Sequence, residues 1–371
     1  MIPTRPLRPF LRRSPPAATW GRLRRTGLIL LLLGVMLPAL LAALAVQAWQ
    51  HGALPLAAER VELRIEPGSS PQQVARAWAE AGVELPARLL YEGFRWSGEA
   101  ARIRAGSYAI ARGTTGAELL GKMVRGEEEL ATVRIGEGWT VRQMRAALAA
   151  AEALRPDTAA LDEAALMAAL GAPGQPAEGR FFPDTYPYSR GSADLDVLRR
   201  AYRAMQQALA EAWAARAPDL PLRSADEALI LASIVEKETG QPADRGRVAG
   251  VFVNRLRIGM RLQTDPTVIY GLGPAFDGNL RRRDLETDTP WNTYTRAGLP
   301  PTPIALPGRE ALRAAVQPEA TPALYFVARG DGSSEFSADL DAHNRAVRRF
   351  QLAPTASRPA SIPPASSAPR P

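Results

Sequence analysis

Residues 224–240 read SADEALILASIVEKETG and predict a single buried helix with charged residues at its end. Ser224 and Glu227 have the spacing of a capping box, in which the two side chains satisfy free amides of the first turn. Gly240 is the type of residue that ends a helix. Between these ends, residues 228–235 are apolar on nearly every side, so we expect the helix to lie inside a folded domain.

Glu236 is the first acidic residue after this apolar run. It lies one turn above Ala232 and Ser233, near the negative end of the helix dipole, and both surroundings raise the pKa of a carboxyl group. A carboxylic acid that stays protonated near neutral pH can act as the general acid that protonates a glycosidic oxygen. The alternative is an ordinary charge at a helix end, paired with Lys237 or with a nearby arginine.

The distribution of charge argues against a nucleic-acid-binding protein. The 371 residues include 46 Lys plus Arg and 38 Asp plus Glu, a formal net charge of +8. Seven of the basic residues are arginines within residues 1–50, which contain no acid, and this leaves 39 basic against 38 acidic residues in the rest of the chain. The body is nearly neutral, so no basic stripe for DNA or RNA is expected.

The chain has no cysteine and only two histidines, His51 and His343. The lack of cysteine excludes a disulfide framework, thiol catalysis and cysteine-ligated zinc. Two histidines make a histidine metal cage hard to build. We therefore expect neither a metal nor another cofactor.

Residues 27–49, GLILLLLGVMLPALLAALAVQAW, contain no charged residue. At 1.5 Å per residue, a helix of this length spans roughly 34 Å, enough for the core of a bilayer. All seven arginines precede it, so the positive-inside rule places residues 1–26 in the cytoplasm and the rest of the chain across the membrane. A cleaved signal peptide, with Val46-Gln47-Ala48 as its cleavage site, is the alternative, although the stretch exceeds the usual apolar region of a signal peptide.

The remaining chain divides by composition. Residues 50–60 are predicted to form a linker, and residues 61–125 contain a strand-turn-helix plan twice, which predicts a small module. Residues 131–351 mix helical stretches with loops rich in Pro, Gly and aromatic residues and predict a larger domain. Residues 352–371 contain six prolines and predict a disordered tail. The expected fold class is α+β.

Several blocks of the sequence carry a family resemblance. They are, in chain order, EGRFFPDTY (178–186), IVEKET (234–239), VFVNRL (251–256), MRLQTDPTVIYG (260–271), NTY (292–294), GLPP (298–301) and PG (307–308). With these blocks in this order, the chain resembles the endolytic murein transglycosylases, the MltG or YceG-like family. The resemblance implies a short cytoplasmic tail, one membrane helix, a LysM-like module at 61–125 and a catalytic domain at 131–351 that faces the cell wall.

The resemblance also implies an activity. It implies a lyase that cleaves nascent peptidoglycan strands internally, between N-acetylmuramic acid and N-acetylglucosamine, and leaves 1,6-anhydro-N-acetylmuramic acid ends that terminate strand elongation. Carried over by position, Glu236 is the catalytic residue, first as acid toward the leaving oxygen and then as base toward the C6 hydroxyl of the same sugar. Because the substrate supplies the nucleophile, no second carboxylate is needed. The implied location is the inner membrane with a periplasmic catalytic domain, and the implied partners are penicillin-binding proteins and other enzymes of cell-wall synthesis.

Eight further residues of these blocks are predicted to contact the sugar. Amide, hydroxyl and carboxyl groups hydrogen-bond sugar hydroxyls and acetamido groups, and tyrosine rings can stack on pyranose faces. The predicted contacts are Asn254, Gln263, Thr264, Asp265, Asn292, Tyr186, Tyr270 and Tyr294. Each has a structural alternative, because Asn, Thr and Asp beside Pro form turns and tyrosines near Pro pack in loops.

Two other functions stay open at this point. A membrane-anchored scaffold would bind peptidoglycan through the 61–125 module without cutting it, and loss of the carboxyl at position 236 would be its simplest signature. A muramidase would use a second carboxylate, for which Asp184 and Asp265 are the candidates, and would leave a reducing end.

Overall fold

The computed structural model describes the backbone of residues 17–352 and the side chains of residues 34–352. Most of the predicted cytoplasmic tail and nearly all of the predicted C-terminal tail lie outside the described residues. The chain divides into two compact units, Met1–Glu129 and Leu130–Pro371.

The first unit contains an antiparallel pair of strands and short helices. Its elements are α1 (Ala17–His51), β1 (Arg60–Ile65), α2 (Pro71–Ala81), α3 (Ala87–Trp96), β2 (Gly106–Ala111) and α4 (Gly116–Arg125). Residue Arg60 pairs with Ala111 at one end of the ladder, and Ile65 pairs with Gly106 at the other. Capping boxes begin α2, at Ser70, and α4, at Thr115. The repeated strand-turn-helix plan of the sequence is therefore confirmed, and α3 is an additional helix between its two copies.

The core of this unit reaches back into the segment predicted as a linker. Leu54 and Leu56, within residues 50–60, are buried with the side chains of α2, α3 and α4. The ring of Trp49, in the last turn of α1, occupies space beside two glycines. An added Cβ at Gly93 or at Gly116 would lie 2.4 Å from that ring. The end of α1 and the following residues are thus part of the folded unit.

Helix α1 contains the whole of the apolar stretch predicted to cross the membrane, residues 27–49. Large apolar side chains along its described part are exposed, among them Met36, Leu40 and Leu44. Within the part of the chain whose side chains the structure describes, no helix is both long enough and apolar enough to span a bilayer. Residues 27–33 of the predicted span precede that part.

The second unit is mainly helical, with two small antiparallel sheets. Its elements are β3 (Leu130–Arg134), α5 (Val141–Ala149), α6 (Glu163–Ala169), β4 (Thr185–Ser189), α7 (Asp194–Ala214), α8 (Ala225–Glu238), α9 (Arg245–Arg257), α10 (Asp265–Leu272), α11 (Arg282–Glu286), α12 (Arg309–Val316), β5 (Tyr325–Ala328), β6 (Ser334–Ser337) and α13 (Leu340–Phe350). Strand β3 pairs with β4, and β5 pairs with β6. The chain as described is a mixed α and β protein with small two-stranded sheets.

Two hydrophobic cores lie in the second unit. One surrounds α8 with side chains from α7, α9 and α12. The other is formed by β3, β4, α5, α6 and the first part of α7. The segment 304–306 contributes to both, because Ile304 belongs to the first core and Leu306 to the second. The residues after this segment lie beside the end of α8, where the candidate site is found.

Helix α8 is the buried helix that residues 224–240 predict. Its residues 228–235 are fully buried except for the partly exposed Ile230. The side chain of Ser224 accepts a hydrogen bond from the Glu227 amide at 3.2 Å, as predicted. The Glu227 carboxylate, however, accepts from the amide of Arg223 at 2.6 Å instead of from that of Ser224. The helix ends at Glu238, before Gly240, and the Thr239 hydroxyl donates to the Val235 carbonyl at 2.7 Å.

Candidate active site

Glu236 lies in the last turn of α8 and is half-buried. Its Oε2 accepts a hydrogen bond of 3.0 Å from the backbone amide of Gly308, the residue that precedes α12. Burial raises the pKa of this carboxyl above its ordinary value, and the negative charge of Glu137 acts in the same direction. The Gly308 amide, Arg245 and Lys237 oppose the rise. The direction is the one expected from the apolar run before Glu236, because desolvation disfavours the charged form of a carboxyl.

Lys237 is one of the two kinds of partner that the alternative interpretation gives Glu236, the other being a nearby arginine. Its ammonium donates a hydrogen bond of 3.2 Å to the carbonyl of Gly138. Gly138 has a positive φ of 70°, which favours glycine, and belongs to the turn between β3 and α5. The lysine therefore holds this turn against the end of α8.

The same turn presents Glu137, which the sequence analysis did not single out. Glu137 is exposed, and its carboxyl group lies beside Gly308. An added Cβ at Gly308 would lie only 1.9 Å from Glu137 Oε1. Two carboxyl groups, those of Glu137 and Glu236, thus lie next to the same glycine. The sequence signal for this residue is only a Gly-Glu-Gly turn, which is common in proteins without a carboxylate at a reactive site.

Glu238 is the other acidic residue at the end of α8, and its side chain is held differently. Its Oε1 accepts a short hydrogen bond from the hydroxyl of Thr264. Burial raises the pKa of the Glu238 carboxyl, while the Thr264 hydroxyl lowers it. Because Glu238 is tied to a buried hydroxyl, Glu236 is the better candidate for proton transfer.

Thr264 and Asp265, both predicted sugar contacts, lie at the start of α10 in a network of internal hydrogen bonds. Thr264 is buried, and its amide donates to the hydroxyl of Thr293 at 3.1 Å. Asp265 accepts a hydrogen bond of 2.6 Å from the hydroxyl of Tyr294, another predicted contact. Burial raises the pKa of the Tyr294 hydroxyl, and the hydrogen bond to Asp265 adds to this effect. The structure brings these three residues together around Glu238.

The two predicted asparagine contacts bind main-chain groups. The Asn254 amide donates to the carbonyls of Thr321 and Ala323, at 2.7 and 3.1 Å. Asn292 is fully buried, its amide nitrogen faces three carbonyl oxygens, and its oxygen accepts from the Tyr294 amide at 2.8 Å. Both side chains hold loops together, which is the structural alternative for these residues.

Tyr186, Tyr270 and Gln263 complete the set of predicted contacts. The ring of Tyr186 is buried in the core below β4, and its hydroxyl donates to the Phe182 carbonyl at 2.7 Å. The ring of Tyr270 is packed edge-on against Trp291, with centroids 5.6 Å apart. Gln263 is exposed and has a positive φ of 46°. Of the eight predicted contacts, Gln263 and Asp265 are the two that the structure leaves exposed, and all eight assignments stay predictions.

The candidate second carboxylates of a muramidase are engaged elsewhere. Asp265 binds Tyr294, and Asp184 accepts a hydrogen bond of 2.6 Å from the amide of Thr185. The carboxyl that the structure places near Glu236 is Glu137. Across the described residues there is no group of three or more His, Cys, Asp or Glu side chains that could hold a metal ion.

The chain is similar to known proteins over most of its length. Residues 63–349 match the model of the YceG-like family. The chain belongs to this family. The match includes the last three residues of β1, the whole of α8 and the segment that carries Gly308.

Relatives of this YceG-like chain include proteins named endolytic murein transglycosylase. The one from Bacillus subtilis is 38% identical over 175 residues, which cover 47% of this chain and 48% of that protein. The one from Streptococcus pneumoniae is 26% identical over 321 residues, 77% of this chain and 58% of that protein. The matches thus span about half the length of these relatives. The crystal structure of a YceG-like protein from Listeria monocytogenes is 27% identical, covers 77% of this chain and 99% of that chain, and has a TM-score of 0.49.

Proposed function

We propose that this protein is a membrane-anchored lytic transglycosylase that cleaves peptidoglycan glycan strands internally, with Glu236 as the catalytic residue. The observation that carries the proposal is the environment of Glu236. Its carboxyl is half-buried, has a raised pKa and accepts one backbone hydrogen bond, from Gly308. The names of the relatives support the same substrate class.

The reaction needs one group that first gives and then takes a proton. Protonated Glu236 donates its proton to the bridging oxygen as the bond between C1 of N-acetylmuramic acid and that oxygen breaks. The resulting carboxylate then accepts the proton of the C6 hydroxyl on the same sugar while O6 bonds to C1. The enzyme returns to its protonated state, and no water is consumed.

The Gly308 amide is placed to stabilise Glu236 in the intermediate state of the reaction, when its carboxyl is ionised. After the first proton transfer, Glu236 carries a full negative charge in a partly desolvated place. A backbone amide that already points at Oε2 stabilises this charge without rearrangement, since hydrogen bonds to ionised acceptors are the stronger ones. The amide thus opposes part of the rise in pKa that burial causes in Glu236, which favours release of the proton.

The proposed location is the inner membrane, with residues 1–26 in the cytoplasm and the catalytic domain in the periplasm. The uncharged stretch 27–49 and the seven arginines before it support this orientation. In this arrangement, residues 61–125 act as a LysM-like module that binds glycan, and penicillin-binding proteins supply the nascent strands.

The test is mass spectrometry of purified glycan strands incubated with the full chain in detergent. Wild type is compared with Glu236→Gln and with Glu310→Gln, a matched control at an exposed carboxylate that faces Arg313. We expect internal fragments with anhydro ends from wild type and from the control, and none from Glu236→Gln. Binding of Glu236→Gln to strands should persist, because the amide keeps the shape of the side chain.

Two results would contradict the proposal. Fragments with reducing ends would identify a hydrolase, for which Glu137 is the nearby second carboxylate. Strands that bind wild type but stay intact would identify a scaffold protein.

A further inference from the structure

The turn that carries Glu137 is held by three hydrogen bonds to two other segments. The Gly138 amide donates to the carbonyl of Leu306 at 2.9 Å, and the Leu306 amide donates to the carbonyl of Trp139 at 2.7 Å. The third bond is the one from Lys237 to the Gly138 carbonyl. Glu137 is therefore exposed, but the backbone that carries it is held in place by hydrogen bonds to both neighbouring segments.

Gly308 provides the space for the Glu137 carboxyl. Its φ of −79° is accessible to any residue, so backbone conformation does not require glycine here. The requirement is steric, because a Cβ would lie 1.9 Å from Oε1 and 2.5 Å from Cδ of Glu137. The same glycine donates its amide to Glu236. Because Gly308 has no Cβ, the carboxyl groups of Glu137 and Glu236 can both lie beside it.

The charged groups around Glu236 come from α8 itself and from two further segments. Lys237 follows it on α8, Arg245 begins α9, and Glu137 lies in the turn before α5. Arg245, Lys237 and the Gly308 amide favour the carboxylate form of Glu236, whereas Glu137 favours its protonated form. Without Glu137, burial of the Glu236 carboxyl alone would favour its protonated form, against three groups that favour the carboxylate.

We propose that Glu137 is a positioning residue of this site, whose carboxylate keeps the proton on Glu236 until the leaving oxygen of the glycan accepts it. The inference rests on the proposed role of Glu236 as general acid. It assigns Glu137 no contact with the reacting atoms. Repulsion between two neighbouring carboxylates is the physical cause, as in other carboxyl pairs that share a site.

The test is the pH dependence of kcat/KM for glycan cleavage by the full chain, in wild type and Glu137→Gln. Activity requires protonated Glu236, so it falls as pH rises through the pKa of that group. In Glu137→Gln, we expect the midpoint of this fall to move to lower pH by roughly 0.5 to 1 pH unit. Above the midpoint, the rate should therefore be roughly 3- to 10-fold lower than in wild type, with KM unchanged.

Gly308→Ala is a second variant that changes no charge. Its methyl group forces the Glu137 side chain away, while the amide that binds Glu236 remains. We expect a shift of the midpoint in the same direction. Glu310→Gln, which removes an exposed charge from the first turn of α12, should leave the profile of wild type unchanged.

A measurement without catalysis separates this inference from the proposed function. Carbon-13 NMR of glutamate-labelled protein, with the Glu236 carboxyl assigned from Glu236→Gln, reports the titration of that group directly. A lower midpoint in Glu137→Gln supports the inference even if wild type cleaves no glycan, a result that would overturn only the proposed function. An unchanged Glu236 titration overturns the inference, and so does a raised KM with an unmoved pH profile, because Glu137 would then be a substrate contact.

Discussion

Ser233 accepts a hydrogen bond of 3.0 Å from the amide of Ile304, and its hydroxyl donates to the carbonyl of Ile230 at 2.7 Å. Ser233 is fully buried and lies one turn before Glu236. The bond from the Ile304 amide to Ser233 attaches the segment that leads to Gly308 directly to α8. The position of the Gly308 amide beside Glu236 therefore depends on a polar group inside the core.

We expect Ser233→Ala to lower the free energy of unfolding by about 1 to 3 kcal/mol, because the buried Ile304 amide loses its acceptor. Cleavage should also become slower, since the segment 304–308 is held less firmly. Chemical denaturation and glycan cleavage measure the two effects. Ser333→Ala, which removes an exposed hydrogen bond to Asp331, is the control and should change neither quantity appreciably. A Ser233→Ala protein as stable as wild type would show that Ile304 finds another acceptor.

Asn292 gives a way to separate a structural from a substrate-binding role. Its buried amide faces the carbonyls of Asp284, Leu285 and Thr287. In Asn292→Asp, a carboxylate would face these oxygens, and we expect a loss of about 3 kcal/mol or more of folding free energy. Thermal or urea unfolding measures this loss. Unchanged stability with a raised KM would instead support the sugar contact predicted from the sequence.

Glu178 should make stability depend on pH. It is buried, its carboxyl accepts the Val141 amide at 3.0 Å, and burial raises its pKa from 4.5 to about 7. Because the pKa is raised in the folded state, the contribution of the neutral form is complete below pH 4.5 and is lost as pH rises toward 7. Between these values we expect unfolding free energy to fall by roughly 1 to 3 kcal/mol more in wild type than in Glu178→Gln. Urea denaturation at several pH values tests this, and parallel curves for the two proteins would refute it.

Two glycines on α9 provide a matched pair. A Cβ at Gly250 would lie 2.5 Å from the backbone oxygen of Glu319, whereas one at Gly246 would lie 3.3 Å from the Glu319 side chain. We expect Gly250→Ala to cost about 2 kcal/mol or more of stability, because a backbone atom cannot move aside cheaply. Gly246→Ala should cost much less, since the contact with Glu319 Cβ at 3.3 Å needs a shift of only a few tenths of an ångström and alanine favours the helix. Equal losses in the two variants, measured by thermal unfolding, would contradict this explanation.

The sequence predicts α8 well because everything that defines this helix is local. An N-terminal serine, a run of apolar residues and a change to charged residues lie within 17 positions, and the structure confirms the buried helix. The two ends differ in detail, since the Glu227 carboxylate binds Arg223 and the helix stops at Glu238. Hydrogen bonds at helix ends depend on the neighbouring chain, which a local pattern does not contain.

Glu137 shows why the rest of the site could not be predicted. It lies about a hundred positions before Glu236 in the sequence, and contacts of the folded chain, among them the bonds from the Gly138 turn to Lys237 and Leu306, bring it close. The asparagines illustrate the opposite difficulty. An asparagine amide can donate to a sugar hydroxyl as well as to a main-chain carbonyl. Residue type alone therefore does not show which of the two Asn254 binds.

The packing of Trp49 between Gly93 and Gly116 has a mechanical consequence. A flexible linker of about ten residues would let a domain turn freely at the end of a helix. Here the last turn of α1 is packed against the rest of the first unit, and Trp49 also contacts Phe94 of α3 edge-on with centroids 5.9 Å apart. The last turn of α1 is therefore packed directly against α3 and α4, and a roll or tilt of this helix has to move both of them with it.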